Sequence, residues 1–372
     1  MTFSRRSILV SGLTAAAAGA LPRFAHAAAA TPKRLVFVVQ RGAADGLAIV
    51  SPTGEPAYAK ARGALAEEGG GAKLDGLFTL HPALTTGAQL YARKQAHFAQ
   101  AVATAYRDRS HFDGQNVLEG GGARPYERAD GWVGRLLTLL PAAERDALAI
   151  APAVPLALRG SLPVATYEPS RLPQADADLI ARLTALYADD TQLRPLWDSA
   201  VRTQELASDI SGNDGRNGAD LGRLAASLML PMDGARVMMV ETGGWDTHSA
   251  QRGRLTAQLR GLDQLIGALK AGLGPAWRDT LVIVATEFGR TVEANGTGGT
   301  DHGTGSAAMF FGGGLVAGGQ VSADWPGLTT ASRHEGRDLR PTRSLESVIC
   351  GAVAYHYALD PARVMKTLYP GA

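Results

Sequence analysis

The chain has 372 residues, of which 45% are hydrophobic and 19% are charged. This composition is that of an ordinary globular protein, and the length suits one large domain or two small ones. A formal charge of +2 gives no electrostatic reason to expect nucleic acid or an anionic lipid surface as a partner. The single cysteine, Cys350, excludes an internal disulfide framework and a cysteine-based zinc site.

The N-terminal 27 residues have the layout of a secretory signal. Residues 4–9 read Ser-Arg-Arg-Ser-Ile-Leu, an apolar alanine-rich stretch follows, and residues 25–27 read Ala-His-Ala. Paired arginines before Ile-Leu are typical of the twin-arginine route, although a chance pair on an ordinary signal or a short anchor is the alternative. We expect a twin-arginine signal peptide over residues 1–27, recognised by the twin-arginine translocation machinery. Residues 28–372 are then expected to form one periplasmic or secreted domain without a stable membrane span.

Short apolar runs alternate along the chain with stretches of helical spacing. The predicted strands are residues 35–39, 98–103, 148–150, 236–240, 281–285 and 308–311. The predicted helices cover residues 174–207, residues 218–230 and the leucine-rich stripe from 255 to 269. Strands alternating with helices indicate an α/β fold with a mostly parallel, helix-covered sheet. In such sheets the chemistry gathers beyond the carboxyl ends of the strands.

Five polar clusters follow these runs or lie in glycine-rich loops. They contain Asp45, Ser110-His111-Phe112-Asp113, Asp246-Thr247-His248, Glu287 and Asp301-His302. Carboxylates and neutral imidazoles are ligands of zinc, manganese and related ions. Neighbouring parallel strands lie about 4.8 Å apart, so acids just beyond their ends can converge on one point. The set is large enough for a pair of ions about 4 Å apart.

Each cluster also has a structural explanation. Asp45 and the glycine after it favour a simple turn, and Asp246 and Ser110 are residue types that cap helices. Glu287 could pair with the arginine three residues further on. The pair Asp301 and His302 is hardest to explain in this way, because a flexible glycine loop gains no stability from it. Jointly, these positions predict a metal site.

The clusters together resemble a bacterial family. The matching segments read QRGAADGL at 40–47, SHFD at 110–113, GGWDTH at 243–248, TEFGR at 286–290, GTDHG at 299–303 and WPGL at 325–328. Over residues 34–330, in the same order, they resemble the bacterial domain-of-unknown-function family 1501, whose members commonly carry twin-arginine signals. Two departures are Ala43, where the family usually has a second glycine, and Thr286, where serine is usual.

That family is similar to the alkaline phosphatase and sulfatase superfamily. The resemblance implies a three-layer α/β/α sandwich with a mostly parallel central sheet and a two-metal site that hydrolyses phosphate or sulfate esters. It implies Ser110 as the nucleophile, and as metal ligands Asp45, Asp246, His248, Glu287, Asp301 and His302. Phe288 stands where the superfamily has a histidine, and the interval between Asp246 and His248 is shorter than usual. One metal site is therefore expected to be incomplete.

These residues predict a metal-dependent hydrolase with a small anionic ester as substrate. The cofactor would be a divalent ion: zinc, manganese, calcium or magnesium. Arg290 or Arg109 would hold the anion by a forked contact, and His111 would protonate the leaving group. The alternative is a secreted protein that keeps the fold and binds a metal or a small anion without turnover. The phenylalanine at 288 favours this alternative, and the clustered Asp-His pairs oppose it.

Overall fold

The computed structural model describes residues 33–67, 69–169, 177–208 and 217–371. The predicted signal peptide, residues 1–27, lies outside the described residues, as does the beginning of the helix predicted at 174–207. No described helix combines the length and the apolar character needed to cross a membrane.

Long apolar runs form the centre of the main sheet. The strands are β1 (Arg34–Gln40), β2 (Val50–Ser51), β3 (Ala72–Lys73), β4 (Thr79–Leu80), β5 (Ala96–Ala103), β6 (Ala147–Ile150), β7 (Ala165–Tyr167), β8 (Val237–Thr242), β9 (Thr280–Ala285), β10 (Ser306–Phe311), β11 (Gln320–Ser322) and β12 (Arg343–Ser344). The main sheet has the order β11-β5-β10-β9-β1-β8-β6-β7, with β12 beside β5. The short strands β2, β4 and β3 form a separate sheet.

The main sheet is parallel except at β10. That strand runs antiparallel to both of its neighbours, β5 and β9, whereas the remaining described pairs are parallel. The beginning of β10 therefore lies at the edge where the other strands end. The loop that precedes β10 consequently meets the loops that follow β1, β5, β8 and β9.

Helices cover both faces of this sheet. They are α1 (Gly46–Ile49), α2 (Tyr58–Arg62), α3 (Thr85–Ala92), α4 (His111–Gly120), α5 (Trp132–Leu137), α6 (Ala177–Leu186), α7 (Leu193–Ser208), α8 (Gly218–Met229), α9 (Gln251–Leu273), α10 (Leu345–Tyr357) and α11 (Pro361–Leu368). Alternate residues of β1 pack on opposite sides: Val36 and Val38 with α8 and α9, Leu35 and Phe37 with α5 and α10. This is the expected three-layer α/β/α sandwich.

The longer predicted elements are present with small changes at their ends. The strand predicted at 35–39 is β1, and the stripe at 255–269 lies within the 23-residue helix α9. The single helix predicted at 174–207 is instead two helices, α6 and α7. The sequence missed β7, β11, β12 and the small sheet, because strands of two or three residues carry no readable alternation. Cys350 is buried in α10, where burial raises the pKa of its thiol to about 12.

Candidate metal centre

Three loops at one edge of the main sheet bring three histidines and an aspartate together. His111 begins α4, which follows β5. Asp246 and His248 lie between β8 and α9, and His302 lies just before β10. This is the edge beyond the carboxyl ends of the parallel strands, where active sites of such sheets lie. Strand β10 is antiparallel, so the loop before it lies at the same edge and contributes His302.

Asp246 is the centre of the cluster. Its Oδ1 lies 3.0 Å from Nε2 of His248 and 3.4 Å from Nε2 of His302, and its Oδ2 lies 3.4 Å from Nε2 of His111. The ligand atoms of His111, Asp246 and His302 all lie within 4.8 Å of one another. Two donors that bind one zinc ion at about 2.0–2.2 Å are themselves separated by roughly 3.0–3.5 Å, so these spacings suit a common ion.

Each histidine directs its other ring nitrogen to a hydrogen-bond acceptor. The acceptors are the Glu287 carboxylate for His111 (2.9 Å), the Asp301 carboxylate for His248 (3.1 Å) and the Arg109 backbone carbonyl for His302 (3.0 Å). A carbonyl or an ionised carboxylate only accepts, so the proton of each neutral ring resides on Nδ1. The three Nε2 atoms then present bare lone pairs to the centre, as they do in carboxylate–histidine–metal arrangements.

The hydrogen-bond pattern requires positive charge at the centre. Nε2 of His248 and Nε2 of His302 are only 3.1 Å apart, and two bare lone pairs at that distance repel each other unless a proton or a cation lies between them. The buried Nε2 of His111 has no hydrogen-bond partner. Buried polar atoms in folded proteins are rarely left unsatisfied. The donor set therefore fits a divalent cation bound between these rings.

Hydrogen bonds, burial and nearby charges shift the pKa values of these groups in the directions that favour ionised acids and a neutral His302 ring. Burial alone would raise the pKa of Glu287, but hydrogen bonds, the strongest from His111, hold it below its usual value. The hydrogen bond from Asn295 lowers the pKa of Asp301. Burial, together with the charges of His111 and Arg290, lowers the pKa of His302. The hydrogen bond to Glu287 raises the pKa of His111.

Arg290 holds the carboxylate of Asp246. Its Nη1 donates to Oδ1 of Asp246 at 2.6 Å, its Nε donates to Oγ1 of Thr300 at 3.1 Å, and its Nη2 donates to the carbonyl of Thr300. The guanidinium is fully buried, so it faces Asp246 and not a substrate. Burial raises the pKa of Asp246, but the hydrogen bond and charge of Arg290 outweigh that effect and lower it. Asp246 does not cap α9, whose cap residue is Ala250.

Asp45 lies behind the cluster and not in it. Its Oδ1 accepts from the amides of Leu47 and Ala48 at the start of α1. Its Oδ2 accepts from Arg62 and, at 2.5 Å, from Nε2 of Gln251. The carboxylate is 1% exposed, and these contacts occupy both of its oxygens. The structure therefore does not bring Asp45 to the same point as Asp246.

A directed chain of hydrogen bonds joins Asp45 to the cluster. Arg290 donates to Thr300, whose hydroxyl donates to Oε1 of Gln251 at 2.6 Å, and Gln251 in turn donates to Asp45. All donors point the same way, so each bond polarises the next. Gln251, Thr300 and Arg62 were not among the predicted site residues. Only Thr300, which directly precedes Asp301, lay close enough to a predicted cluster to have been noticed.

Phe288 forms one wall of the centre. Its ring stacks on His111 with 5.1 Å between ring centroids and lies 5.3 Å from the ring of His302. A side chain at Gly114 would come within 2.9 Å of the same ring, which fixes how closely α4 approaches. Phe288 therefore gives the centre an apolar wall and not a further ligand.

The two residues before His111 have other contacts. Ser110 caps α4 without a side-chain hydrogen bond to the helix, and its amide donates to the phenol of Tyr106 at 3.0 Å. Arg109 has a left-handed backbone, with φ of +62°, and its guanidinium donates to Asp338 and Glu335. The carbonyl of Arg109 thus serves His302, while its side chain is bound to acids.

Similar solved structures share little sequence with this chain. The C-terminal periplasmic domain of EcEptC from Escherichia coli, in complex with Zn, is 7% identical, with a TM-score of 0.38 over 76% of this chain and 74% of its own. The lipoteichoic acid synthase LtaP from Listeria monocytogenes is 10% identical, with a TM-score of 0.39 over 79% and 69%. Alkaline phosphatase from the Antarctic bacterium TAB5 is 13% identical, with a TM-score of 0.36 over 78% and 94%.

The amino-acid sequence assigns the chain to a family. No curated protein matches the chain. A family model described as "Protein of unknown function (DUF1501)" matches residues 32–349, a range that contains all four residues of the cluster. The resemblance seen in the sequence motifs is confirmed, and the chain belongs to the DUF1501 family.

Proposed function

We propose that this protein is an exported, metal-dependent hydrolase of phosphate or sulfate esters that reaches the periplasm by the twin-arginine route. One observation carries the proposal: three imidazole Nε2 atoms and a carboxylate face one another, and each imidazole is oriented by a second acceptor. Maintaining such a set without an ion would leave bare lone pairs in close contact.

The ligands in this proposal are His111, Asp246, His248 and His302. Three imidazoles and one carboxylate favour zinc over calcium or magnesium, which prefer oxygen ligands. A bound divalent cation would supply positive charge against the charge that develops on phosphoryl or sulfuryl oxygens. His111 is assigned to the ligands and not to leaving-group protonation, because Glu287 holds its Nδ1 proton and its Nε2 faces Asp246.

Other predicted site residues orient the ligands in this proposal and do not bind the ion themselves. Glu287 and Asp301 fix the tautomers of His111 and His248. Arg290 holds Asp246 ionised and in place.

Ser110 remains the proposed nucleophile, since it directly precedes His111 at the start of α4. Its hydroxyl would give its proton to water, and its oxygen would form the new bond to phosphorus or sulfur as the bond to the ester oxygen breaks and that oxygen takes a proton from water. A second water would then displace the serine oxygen, which releases phosphate or sulfate and restores the hydroxyl.

A second candidate function is metal or anion binding without turnover. The contacts of the two arginines that were expected to hold the substrate favour this function, because both side chains are already bound to other groups. Arg290 is committed to Asp246 and Thr300, and Arg109 to Asp338 and Glu335. A substrate anion would therefore depend on the bound ion for most of its attraction.

The test compares metal content and turnover in the wild type and in Asp246→Ala and His302→Ala. Purified protein should contain about one zinc per chain by elemental analysis and hydrolyse an aryl phosphate or aryl sulfate. Each variant should lose metal and turnover while keeping its fold by circular dichroism. His334→Ala is a matched control, because that histidine lies outside the cluster and its ring is 3.9 Å from Glu335.

The outcomes separate the two candidate functions. Bound metal without turnover of either ester, and a large fall in melting temperature in both variants, would indicate a binding protein with a structural ion. Protein that contains no metal after growth with zinc, and that does not bind added zinc, would contradict both.

A further inference from the structure

Two arginines and two acids form a cluster beside the metal centre. Arg109 directly precedes Ser110, the proposed nucleophile, and its backbone carbonyl accepts from Nδ1 of His302 at 3.0 Å. Nη2 of Arg337 donates to the backbone carbonyl of His302 at 2.6 Å. Both arginines thus contact the same candidate metal ligand, so the cluster borders the centre.

One buried carboxylate holds both guanidinium groups. Oδ2 of Asp338 accepts from Nε and Nη2 of Arg109 at 3.0 and 2.8 Å, and Oδ1 accepts from Nε of Arg337 at 2.8 Å. A single negative charge therefore faces two permanent positive charges. A second anion is needed to balance the cluster.

Glu335 supplies that second anion. Its Oε2 accepts from Nη2 of Arg109 at 2.6 Å. The hydrogen bond and charge of Arg109, with a smaller effect from the charge of Arg337, lower the pKa of Glu335. The side chain of Glu335 is 62% exposed, whereas that of Asp338 is fully buried. A buried carboxylate that loses its partners is strongly destabilised, but an exposed one exchanges an arginine for water at little cost. Of the two acids, Glu335 is the one that another anion can replace.

The two arginines also have donors to spare. Among the described residues, neither Nη1 of Arg109 nor Nη1 of Arg337 has a hydrogen-bond partner. Their side chains are 23% and 46% exposed, so solvent reaches both groups. Planar guanidinium groups bind phosphate and sulfate oxygens through paired N–H donors. Departure of Glu335 would therefore leave donors and an unbalanced positive charge next to Ser110.

We propose that Arg109, together with Arg337, binds the anionic group of the substrate, and that Glu335 occupies Arg109 until this group displaces it. The identity of the anion, a phosphate or sulfate ester, rests on the proposed function. Glu335 is then a built-in competitor. It weakens binding of the substrate, because its carboxylate must leave Arg109 before the anion can take its place.

Calorimetric titration with inorganic phosphate and inorganic sulfate tests the proposal, on zinc-loaded protein and on protein freed of metal. Glu335→Gln should tighten binding of both anions about two- to fivefold, the size expected when one exposed ion pair no longer competes. This gain should shrink at high salt, which screens exposed charges. Arg109→Gln should weaken binding about tenfold or more, since charge-assisted hydrogen bonds are lost.

Glu293→Gln is the matched control for the loss of charge. Glu293 is 66% exposed and accepts from Arg333 at 2.6 Å, so this variant opens an equally exposed ion pair that involves neither Arg109 nor Arg337. Its anion affinity should equal that of the wild type. Circular dichroism shows whether Arg109→Gln, which deprives the buried Asp338 of a partner, still folds. If it does not, the exposed change Glu335→Gln decides the proposal.

Three results would overturn the proposal: equal anion affinities in the wild type and Glu335→Gln, the same gain in Glu293→Gln, or no measurable anion binding in any of these proteins. Failure of the proposed function looks different, because the competition between Glu335 and an anion is measured without zinc and without turnover. A gain in Glu335→Gln alone, in protein that hydrolyses neither ester, would support the anion site and contradict only the hydrolase.

Discussion

Asp246 is the residue on which the metal centre depends, and its position is set from behind. Arg290 fixes one of its oxygens, and Arg290 is itself oriented by Thr300. Thr300 donates to Gln251, which lies at the first position of α9 and donates to Asp45. Asp45, which the sequence predicted as a metal ligand, is thus the last acceptor of this hydrogen-bond chain. The chain holds Asp246, the candidate ligand, in place.

Substitution of Gln251 tests this chain. Gln251→Leu removes an acceptor from Thr300 and a donor from Asp45, so Arg290 and Asp246 lose their fixed orientation. Zinc affinity measured by competition with a chromophoric chelator should fall about tenfold, the size seen when partners of metal ligands are removed. Gln264→Leu is the matched control, because that side chain is exposed on the same helix. Equal affinities in the two variants would show that Asp246 is positioned without the chain.

Helices α8 and α9 approach each other closely because glycine lies at their contact. A Cβ at Gly218 would come within 1.8 Å of the carbonyl of Gly261, and one at Gly222 within 2.3 Å of the carbonyl of Leu265. Helix α9 directly follows the loop that carries Asp246 and His248. The glycines therefore set the position of the helix that begins at the metal centre.

Two identical substitutions at this contact should have opposite effects. Gly222→Ala should lower the free energy of unfolding by about 2 kcal/mol, since backbone atoms must separate to admit the methyl group. Gly261→Ala should raise it by about 0.5–1 kcal/mol, because its Cβ would meet no atom within 4 Å and alanine favours the helix. Denaturant unfolding of both variants provides the measurement. A stabilised Gly222→Ala variant would mean that α8 and α9 are further apart than these distances indicate.

At the scale of the whole molecule, stability depends on pH through a histidine remote from the metal ligands. Burial, followed by the charge of Arg252, lowers the pKa of His81 from 6.5 to about 4. The amide of Ala83 donates to its Nδ1 at 3.1 Å, which requires that nitrogen to be unprotonated. The unfolded chain therefore binds a proton between pH 6.5 and pH 4 that the folded chain does not, and stability falls as the pH drops through that window.

His81→Asn separates this effect from other titrations, since an asparagine oxygen also accepts from the amide two residues further on. The wild type should lose stability between pH 6.5 and pH 4.5 more steeply than the variant, by at most about 1.4 kcal/mol per pH unit. Unfolding free energies from urea titrations at several pH values measure the difference. Parallel curves for the two proteins would show that His81 titrates normally in the folded state.

The longer elements and the chemical character of one sheet edge can be read from the amino-acid sequence alone. Apolar runs such as β1 and the stripe of α9 are read from local periodicity, which the folded chain preserves. The motifs around Asp246 and His302 sufficed to identify the family, and their residue types predicted metal ligands. These features depend on neighbours within a few residues.

Which side chains face one another depends on how the folded chain brings distant segments together. Glu287 and Asp301 orient histidines, and Asp45 pairs with Arg62 in a separate helix. His111, by contrast, joins Asp246 from the start of α4, 135 positions earlier in the chain. The direction of a carboxylate or an imidazole is set by donors and acceptors that folding brings from distant segments. Spacing along the chain carries no record of those directions, so ligands and their supporting residues look alike in the sequence.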